Sequence, residues 1–152
     1  MFVEDDLVFY DIQLNNKTDL FDFMADQLEK KRYVTKEFRG AIKSREEEYP
    51  TGLELEGINV AITHTEKKYV DSQKLVVIKP KNPITFKNIE NLKPIDVNLI
   101  FGLILDSDDG HLKILKRISQ MFQDKEVIKK VRQIKDKEEL TTYMKYYFND
   151  VE

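Results

Sequence analysis

Two histidines, His64 and His111, are the residues whose chemistry and positions first suggest a reactive site. An imidazole ring transfers protons near neutral pH, and its neutral nitrogen is a good nucleophile toward phosphorus. His64 follows an alternating, strand-like segment, and a strand end places a side chain at the rim of a sheet, where sites tend to lie. His111 follows a long apolar run at the predicted start of a helix, where free backbone N–H groups suit an anion. The pattern predicts an anion-handling site, although ordinary solvated histidines fit the same spacing.

Other reactive centres have little support in the sequence. A metal site on two histidines would need a third ligand, and the cluster of Asp106, Asp108 and Asp109 is equally explained by helix capping. The sequence contains no glycine-rich phosphate loop of the Walker or Rossmann form and no serine in a nucleophile-elbow pattern. It also has no cysteine, which excludes disulfides, thiolate nucleophiles and cysteine metal ligands.

Composition limits the class of protein. The 152 residues are 41% hydrophobic, which is enough for one domain, residues 1–152, with its own core. The net charge of −3, with 35% charged residues of both signs, argues against nucleic-acid binding and against membrane-surface binding. The acidic N-terminus is unlike a secretory signal, and no apolar run approaches the roughly 20 residues of a membrane span. We therefore expect a cytoplasmic protein without membrane insertion.

Hydrophobic periodicity predicts the elements that must position these residues. Strand-like runs occupy residues 7–12, 58–62, 75–78, 84–86 and 97–105, of which the last indicates a buried central strand. Helical spacing predicts a helix after the first strand, a second helix capped by Thr35, and three more in the last third. Asp136 and Glu139 resemble a capping box that opens the last helix. Helices at both ends predict an α/β single-domain sandwich, with a mixed, roughly five-stranded sheet flanked by helices.

Two tracts of the chain resemble the active-site signature of a known family. The first comprises residues 45–53, REEEYPTGL, and residues 57–65, GINVAITHT; the second is residues 108–115, DDGHLKIL. In order and spacing they are similar to the fructose/mannitol-type IIA components of sugar phosphotransferase systems. The form YPTGL at 49–53 is most similar to the galactitol-type branch. The family usually has proline before its active histidine, whereas this chain has Thr63, which is expected to add a hydroxyl near the site.

The resemblance implies a phosphotransferase component that relays a phosphoryl group. His64 would accept the group on Nε2 from the histidine phosphocarrier protein HPr and pass it to a cysteine of a IIB component, and a backbone carbonyl would hold its Nδ1–H. His111 would stabilise the phosphoryl charge, and the planar fork of Arg45 would supply a positive partner. Thr51 and Thr65 would donate hydroxyl hydrogen bonds. Such transfer depends on positioning and charge, so it needs neither a metal nor a nucleotide cofactor.

The same resemblance leaves the biological role open between three hypotheses. The first is uptake of a sugar or sugar alcohol, with galactitol as one candidate, alongside a membrane IIC component. The second is a free-standing regulatory IIA-like protein that reports its phosphorylation state. The third is a noncatalytic α/β binding domain that has kept the fold. The presence of both His64 and His111 argues against the third hypothesis, while Thr63 slightly favours it.

Overall fold

The computed structural model describes residues 1–149, except for the side chain of residue 111, and shows a five-stranded sheet with helices on both faces. The strands are β1 Val8–Ile12, β2 Gly52–Leu55, β3 Ile58–His64, β4 Lys74–Pro80, β5 Ile84–Lys87, β6 Pro94–Val97 and β7 Leu99–Ile104. The helices are α1 Lys17–Lys30, α2 Phe38–Glu48, α3 Asp108–Gln123, α4 Lys125–Arg132 and α5 Lys137–Phe148. Within residues 1–149, no helix combines the length and apolar character needed to cross a membrane.

The main sheet has the strand order β1-β4-β7-β3-β2 and is mixed. β1 and β4 are parallel, as are β3 and β7, while β4 is antiparallel to β7 and β2 is antiparallel to β3. The remaining strands, β5 and β6, form a separate antiparallel pair. The predicted α/β sandwich with a five-stranded mixed sheet is therefore confirmed, whereas the separate two-stranded sheet was not predicted.

Strand β7 lies at the centre of the sheet, and all six of its residues are buried. Leu99, Phe101 and Leu103 join the hydrophobic cluster formed with α3, α4 and α5. Ile100 and Ile104 join the opposite cluster, formed with α1 and α2. Because successive side chains of a strand point to opposite faces, a strand covered on both faces reads as a continuous apolar run. The central position expected for this segment is confirmed.

The boundaries predicted for that central strand were wrong. A single strand over residues 97–105 was expected, but the chain divides at Asn98. Val97 ends β6 and pairs with Ile84 of β5, whereas Leu99 begins β7 and pairs with Val60 of β3. The backbone N–H of Asn98 donates to the Asn59 carbonyl at 3.0 Å, which holds the chain where it passes from one sheet to the other.

The expected cap of the second helix was also wrong. Helix α2 begins at Phe38, and its N-cap residue is Glu37, whose side chain makes no capping hydrogen bond. Thr35 instead lies before the helix, with its N–H donating to the Tyr69 carbonyl at 3.0 Å. Its buried hydroxyl has no hydrogen-bond partner within the described part of the chain. Pairing of this segment with the residues around Tyr69 therefore displaces the helix start to a later position.

The three helices of the last third are confirmed, together with the cap of the last one. The Asp136 carboxylate accepts a hydrogen bond from the Glu139 N–H at 2.8 Å. The Glu139 carboxylate accepts from the N–H of Lys135, one residue before the cap, at 3.1 Å. The N-cap half of the box is thus as predicted, while the reciprocal bond reaches one residue further back.

Candidate functional site

The carboxyl ends of β3 and β7 meet at one edge of the sheet and form the floor of a small cavity. The two strands are parallel, and His64 pairs in register with Leu103. The chain beyond β7 therefore turns into α3 beside His64, with Ser107 as the N-cap residue. The resulting cavity has a volume of about 170 Å³ and is lined by Arg45, His64, Thr65, Glu66, Lys67, Leu103, Leu105, Ser107 and Asp108.

The ring of His64 has a defined contact on one nitrogen. Nδ1 lies 3.2 Å from the carbonyl oxygen of Ile62, two residues earlier in β3. A carbonyl oxygen can only accept, so this contact assigns the hydrogen to Nδ1 in the neutral ring and leaves the lone pair on Nε2. The carbonyl contact expected from the resemblance is present. A half-buried imidazole with Nε2 as its basic nitrogen can act as a nucleophile.

Arg45 supplies a cation to the same cavity from α2, which packs on the face of the sheet opposite to α3. It lies in the last turn of α2, and its guanidinium carbon is 4.7 Å from the centroid of the Tyr49 ring. Its buried Nε has no hydrogen-bond partner among the residues that the structure describes. A buried donor without a partner is uncommon in proteins, and an anion in the cavity is one group that could accept from it. The planar guanidinium fork suits the oxygens of a phosphoryl group.

The loop after β3 contributes three polar residues, Thr65, Glu66 and Lys67, to the cavity. Thr65 lines it, and its hydroxyl donates locally to the Glu66 carbonyl at 3.1 Å. Lys67 begins a short 3-10 turn and places its Nζ 3.4 Å from a carboxylate oxygen of Asp108. Lys67 was not singled out from the sequence, where it is one of two adjacent lysines. The sequence feature that could have identified Lys67 is its position three residues after His64, in the loop that begins where β3 ends.

Thr51 has a different environment from the other residues selected from the sequence. It does not line the cavity, and its hydroxyl donates to the carboxylate of Glu46 at 2.7 Å. The backbone N–H of Thr51 donates to the other oxygen of the same carboxylate, also at 2.7 Å. Burial raises the pKa of Glu46, while these two hydrogen bonds act to lower it. The structure therefore places Thr51 behind the site, bonded to the residue that follows Arg45.

Thr63 does not contribute the hydroxyl near the site that was expected from its position. Its side chain is fully buried, and the hydroxyl donates to the Phe101 carbonyl of β7 at 3.0 Å. Side chains alternate along a strand, so Thr63 and His64 project from opposite faces of β3. The residue that stands in place of the family's usual proline thus forms a hydrogen bond between strands and does not line the cavity.

His111 lies in the first turn of α3, but its side chain is outside the described part of the structure. Its juxtaposition with the His64 ring therefore stays a prediction. The helix start itself is well defined, because the Ser107 hydroxyl accepts from the Gly110 N–H at 3.1 Å. The N-terminal end of α3, with its positive dipole end, lines the cavity through Ser107 and Asp108. Among the described residues, no three His, Cys, Asp or Glu side chains come together to hold a metal ion.

Comparison with known proteins identifies relatives of the whole chain. The model of the family described as "Phosphoenolpyruvate-dependent sugar phosphotransferase system, EIIA 2" matches residues 1–147. The galactitol-specific EIIA component of the phosphotransferase system of Escherichia coli (strain K12) is 24% identical over 148 residues. That alignment covers 97% of this chain and 92% of the relative.

Solved structures share the fold at low sequence identity. The nitrogen regulatory protein IIA-Ntr from Neisseria meningitidis has a TM-score of 0.75 at 24% identity, covering 92% of this chain and 94% of that one. The enzyme IIAMTL from Escherichia coli, solved in complex with phosphorylated enzyme IIBMTL, has a TM-score of 0.71 at 20% identity, covering 90% and 92%. The fold of these proteins and the family match over nearly all of the sequence lead to one conclusion. This chain belongs to the EIIA 2 family of the phosphoenolpyruvate-dependent sugar phosphotransferase system.

Proposed function

We propose that this protein is a phosphocarrier that accepts a phosphoryl group on His64 Nε2 from phospho-HPr and passes it to a cysteine of a IIB component. The observation that carries this proposal is the His64 ring, which lines a cavity with Arg45 while its Nδ1 faces the Ile62 carbonyl at 3.2 Å. This arrangement leaves Nε2 as the nucleophilic nitrogen and supplies a fixed cation for the transferred group. The proposal treats residues 1–152 as one IIA domain in the cytoplasm.

Each transfer exchanges one bond to phosphorus for another. In the first transfer, the Nε2 lone pair of His64 attacks the phosphorus of the donor's phosphohistidine. As the new N–P bond forms, the donor's N–P bond breaks and its electron pair returns to the donor's ring nitrogen. The His64 ring then carries a positive charge, and the Ile62 carbonyl accepts the hydrogen bond of its Nδ1–H. In the second transfer, the IIB thiolate attacks the same phosphorus, and the electron pair of the N–P bond returns to Nε2.

The surrounding side chains stabilise the charge of the transferred group. The Arg45 fork binds phosphoryl oxygens in the transition state, when negative charge is spread over them. Thr65 turns its hydroxyl from the Glu66 carbonyl to a phosphoryl oxygen, at the loss of one exposed local hydrogen bond. His111, at the start of α3, donates a further hydrogen bond. Thr51 acts indirectly, through its hydrogen bonds to Glu46, and does not touch the substrate.

The partners follow from the system to which the family belongs. The complex of enzyme IIAMTL with phosphorylated enzyme IIBMTL is an example of a IIA and a IIB protein together. We propose an equivalent IIB partner here, with HPr as the donor and a membrane IIC component as the transporter. The galactitol-specific relatives make galactitol the first sugar alcohol to test.

Reconstitution with purified proteins tests the relay. Incubation with phosphoenolpyruvate, enzyme I and HPr should yield acid-labile phosphohistidine, which then decreases when a purified galactitol-type IIB protein is added. His64→Ala should take no label, and His111→Ala should be labelled more slowly. A wild-type protein that stays unlabelled would contradict the relay, while normal labelling of His64→Ala would contradict the choice of nucleophile.

A regulatory role is the second candidate, because one structure of the same fold is a nitrogen regulatory IIA protein. Transfer to a IIB cysteine separates the two roles. A protein that accepts the phosphoryl group from HPr but passes it to no galactitol-, fructose- or mannitol-type IIB protein would favour regulation. Genes for IIB and IIC components beside the gene for this chain would favour transport.

A further inference from the structure

An ion pair between Lys67 and Asp108 lies at the mouth of the His64 cavity. Both residues line that cavity, and Lys67 Nζ is 3.4 Å from the nearer carboxylate oxygen of Asp108. The two side chains come from different elements, the loop after β3 and the first turn of α3. Their exposed fractions are 59% for Lys67 and 87% for Asp108, so the pair is strongly hydrated and contributes little to stability. Either member of such a pair can leave its partner for a more strongly charged one at little cost in free energy.

A phosphoryl group on His64 would change the charge balance of the cavity. Among the residues that the structure describes, the lining contains two cations, Arg45 and Lys67, and two acids, Glu66 and Asp108. These charges balance while His64 carries no phosphoryl group. A bound phosphoryl group adds a charge of about −1.5 to −2 at neutral pH. Asp108 would then repel the phosphoryl group while it remains paired with Lys67.

We propose that Lys67 exchanges partners when His64 is phosphorylated. Its ammonium group leaves the carboxylate of Asp108 and binds the phosphoryl oxygens on Nε2, and the Asp108 carboxylate is released toward solvent. Lysine suits this exchange because its charge sits on a flexible stem with three rotatable donors, whereas the Arg45 fork is fixed against Tyr49. This inference rests on the proposed function, since it assigns to Lys67 a contact with the group that His64 carries.

The chain contains a matched control for each partner. Lys68 is the next residue and is 65% exposed, but it pairs with Glu66 at 3.6 Å, lies over the Tyr69 ring at 5.2 Å and does not line the cavity. Asp109 shares the first turn of α3 with Asp108 and likewise does not line the cavity. Each control has the same formal charge and nearly the same position in the chain as the residue it matches.

The experiment measures the equilibrium of phosphoryl exchange between phospho-HPr and this protein, by intact mass at equilibrium. Lys67→Ala should lower the equilibrium constant for acceptance about fivefold, as expected for loss of an exposed charged contact. Lys68→Ala should leave it unchanged. Asp108→Asn should raise it, and Asp109→Asn should have a smaller effect. The Lys67→Ala effect should also decrease as salt is added, because exposed charges are screened.

The double variant Lys67→Ala/Asp108→Asn tests the exchange itself. If Asp108 competes for Lys67, the gain from Asp108→Asn should fall by at least about half when Lys67 is absent. An equal gain in both backgrounds would overturn the exchange, and equal effects of Lys67→Ala and Lys68→Ala would overturn the Lys67 contact. If the wild-type protein accepts no phosphoryl group at all, the relay proposed above fails and the exchange fails with it.

Discussion

Both carboxylate oxygens of Glu46 accept hydrogen bonds from Thr51, one from its hydroxyl and one from its backbone N–H, each at 2.7 Å. Glu46 is only 3% exposed and lies in the last turn of α2, directly after Arg45. Thr51 is the residue before β2. The pair thus joins the helix that carries Arg45 to the edge of the main sheet, and it fixes the end of that helix beside the cavity.

Replacement of the Thr51 hydroxyl should destabilise the fold. Thr51→Val removes one of the two donors to a buried carboxylate, and we expect the free energy of unfolding to fall by about 1 to 3 kcal/mol. Thr51→Ser keeps the hydroxyl and should lose less. Urea unfolding followed by circular dichroism measures both variants. Equal stability of Thr51→Val and the wild type would show that the hydroxyl bond contributes nothing to the fold.

The buried carboxyl of Glu46 should make stability depend on pH. Burial raises the pKa of Glu46 above its usual value of 4.5, so the folded protein binds this proton more tightly than the unfolded chain does. The free energy of unfolding of the wild type, relative to Glu46→Gln, should therefore rise as the pH falls from neutral through the raised pKa, and level off near 4.5. Comparison of the two proteins cancels the titration of other carboxylates. Glu47→Gln, a change at the exposed neighbouring residue, is the control. If the free energy of unfolding of the wild type relative to Glu46→Gln falls with decreasing pH, the assignment is contradicted.

The sequence was sufficient to predict the elements buried on two faces, because burial leaves a periodic or continuous apolar pattern. The run that became β7 is one example, and the alternation of β3 is another. The sequence did not predict the break at Asn98, since Val97 at the end of β6 and Leu99 at the start of β7 are both apolar and only their pairing partners distinguish them. Strand β2 was also missed, because four residues at a sheet edge, with Leu53 and Leu55 only partly buried, give a weak pattern.

The site could be predicted only in part, for a similar reason. His64 and Arg45 were selected from a motif, and the structure places both at one cavity. The pairing of Lys67 with Asp108 joins residues that are 41 positions apart, and both are exposed. Exposed charged residues carry no hydrophobic pattern, so the sequence does not predict their contact. The contact forms because β3 and β7 pair in parallel. Only the folded chain shows that the ends of these two strands coincide.

Thr63 and Thr65 flank His64 and should respond in opposite ways to loss of the hydroxyl. Thr63→Val removes a buried hydrogen bond to the Phe101 carbonyl, so stability should fall by about 1 to 2 kcal/mol with phosphoryl acceptance unchanged. Thr65→Val removes only an exposed local bond, so stability should change by less than about 0.5 kcal/mol. Its phosphoryl acceptance should fall about threefold to tenfold, through loss of one transition-state hydrogen bond. Urea unfolding and single-turnover transfer from phospho-HPr separate the two effects, and the reverse pattern would contradict this placement.

The Arg45 guanidinium should contribute to transfer through its shape as well as its charge. Arg45→Ala should slow single-turnover transfer from phospho-HPr about 100-fold, as expected for loss of a charged donor in the transition state. Arg45→Lys keeps the charge but loses the planar fork and its position over the Tyr49 ring, so we expect about a tenfold loss.

A cation elsewhere on the same helix provides the control for Arg45. Lys43 also lies in α2, but it pairs with Asp22 of α1 at 2.7 Å and is absent from the cavity lining. Lys43→Ala should therefore leave transfer unchanged, because Lys43 pairs with Asp22 and does not line the cavity. If Arg45→Lys transfers as fast as the wild type, charge alone suffices and the fork is unnecessary. If Arg45→Ala also transfers at the wild-type rate, the positive partner of the phosphoryl group must be another residue, and Lys67 is the other cation among the described residues that line the cavity.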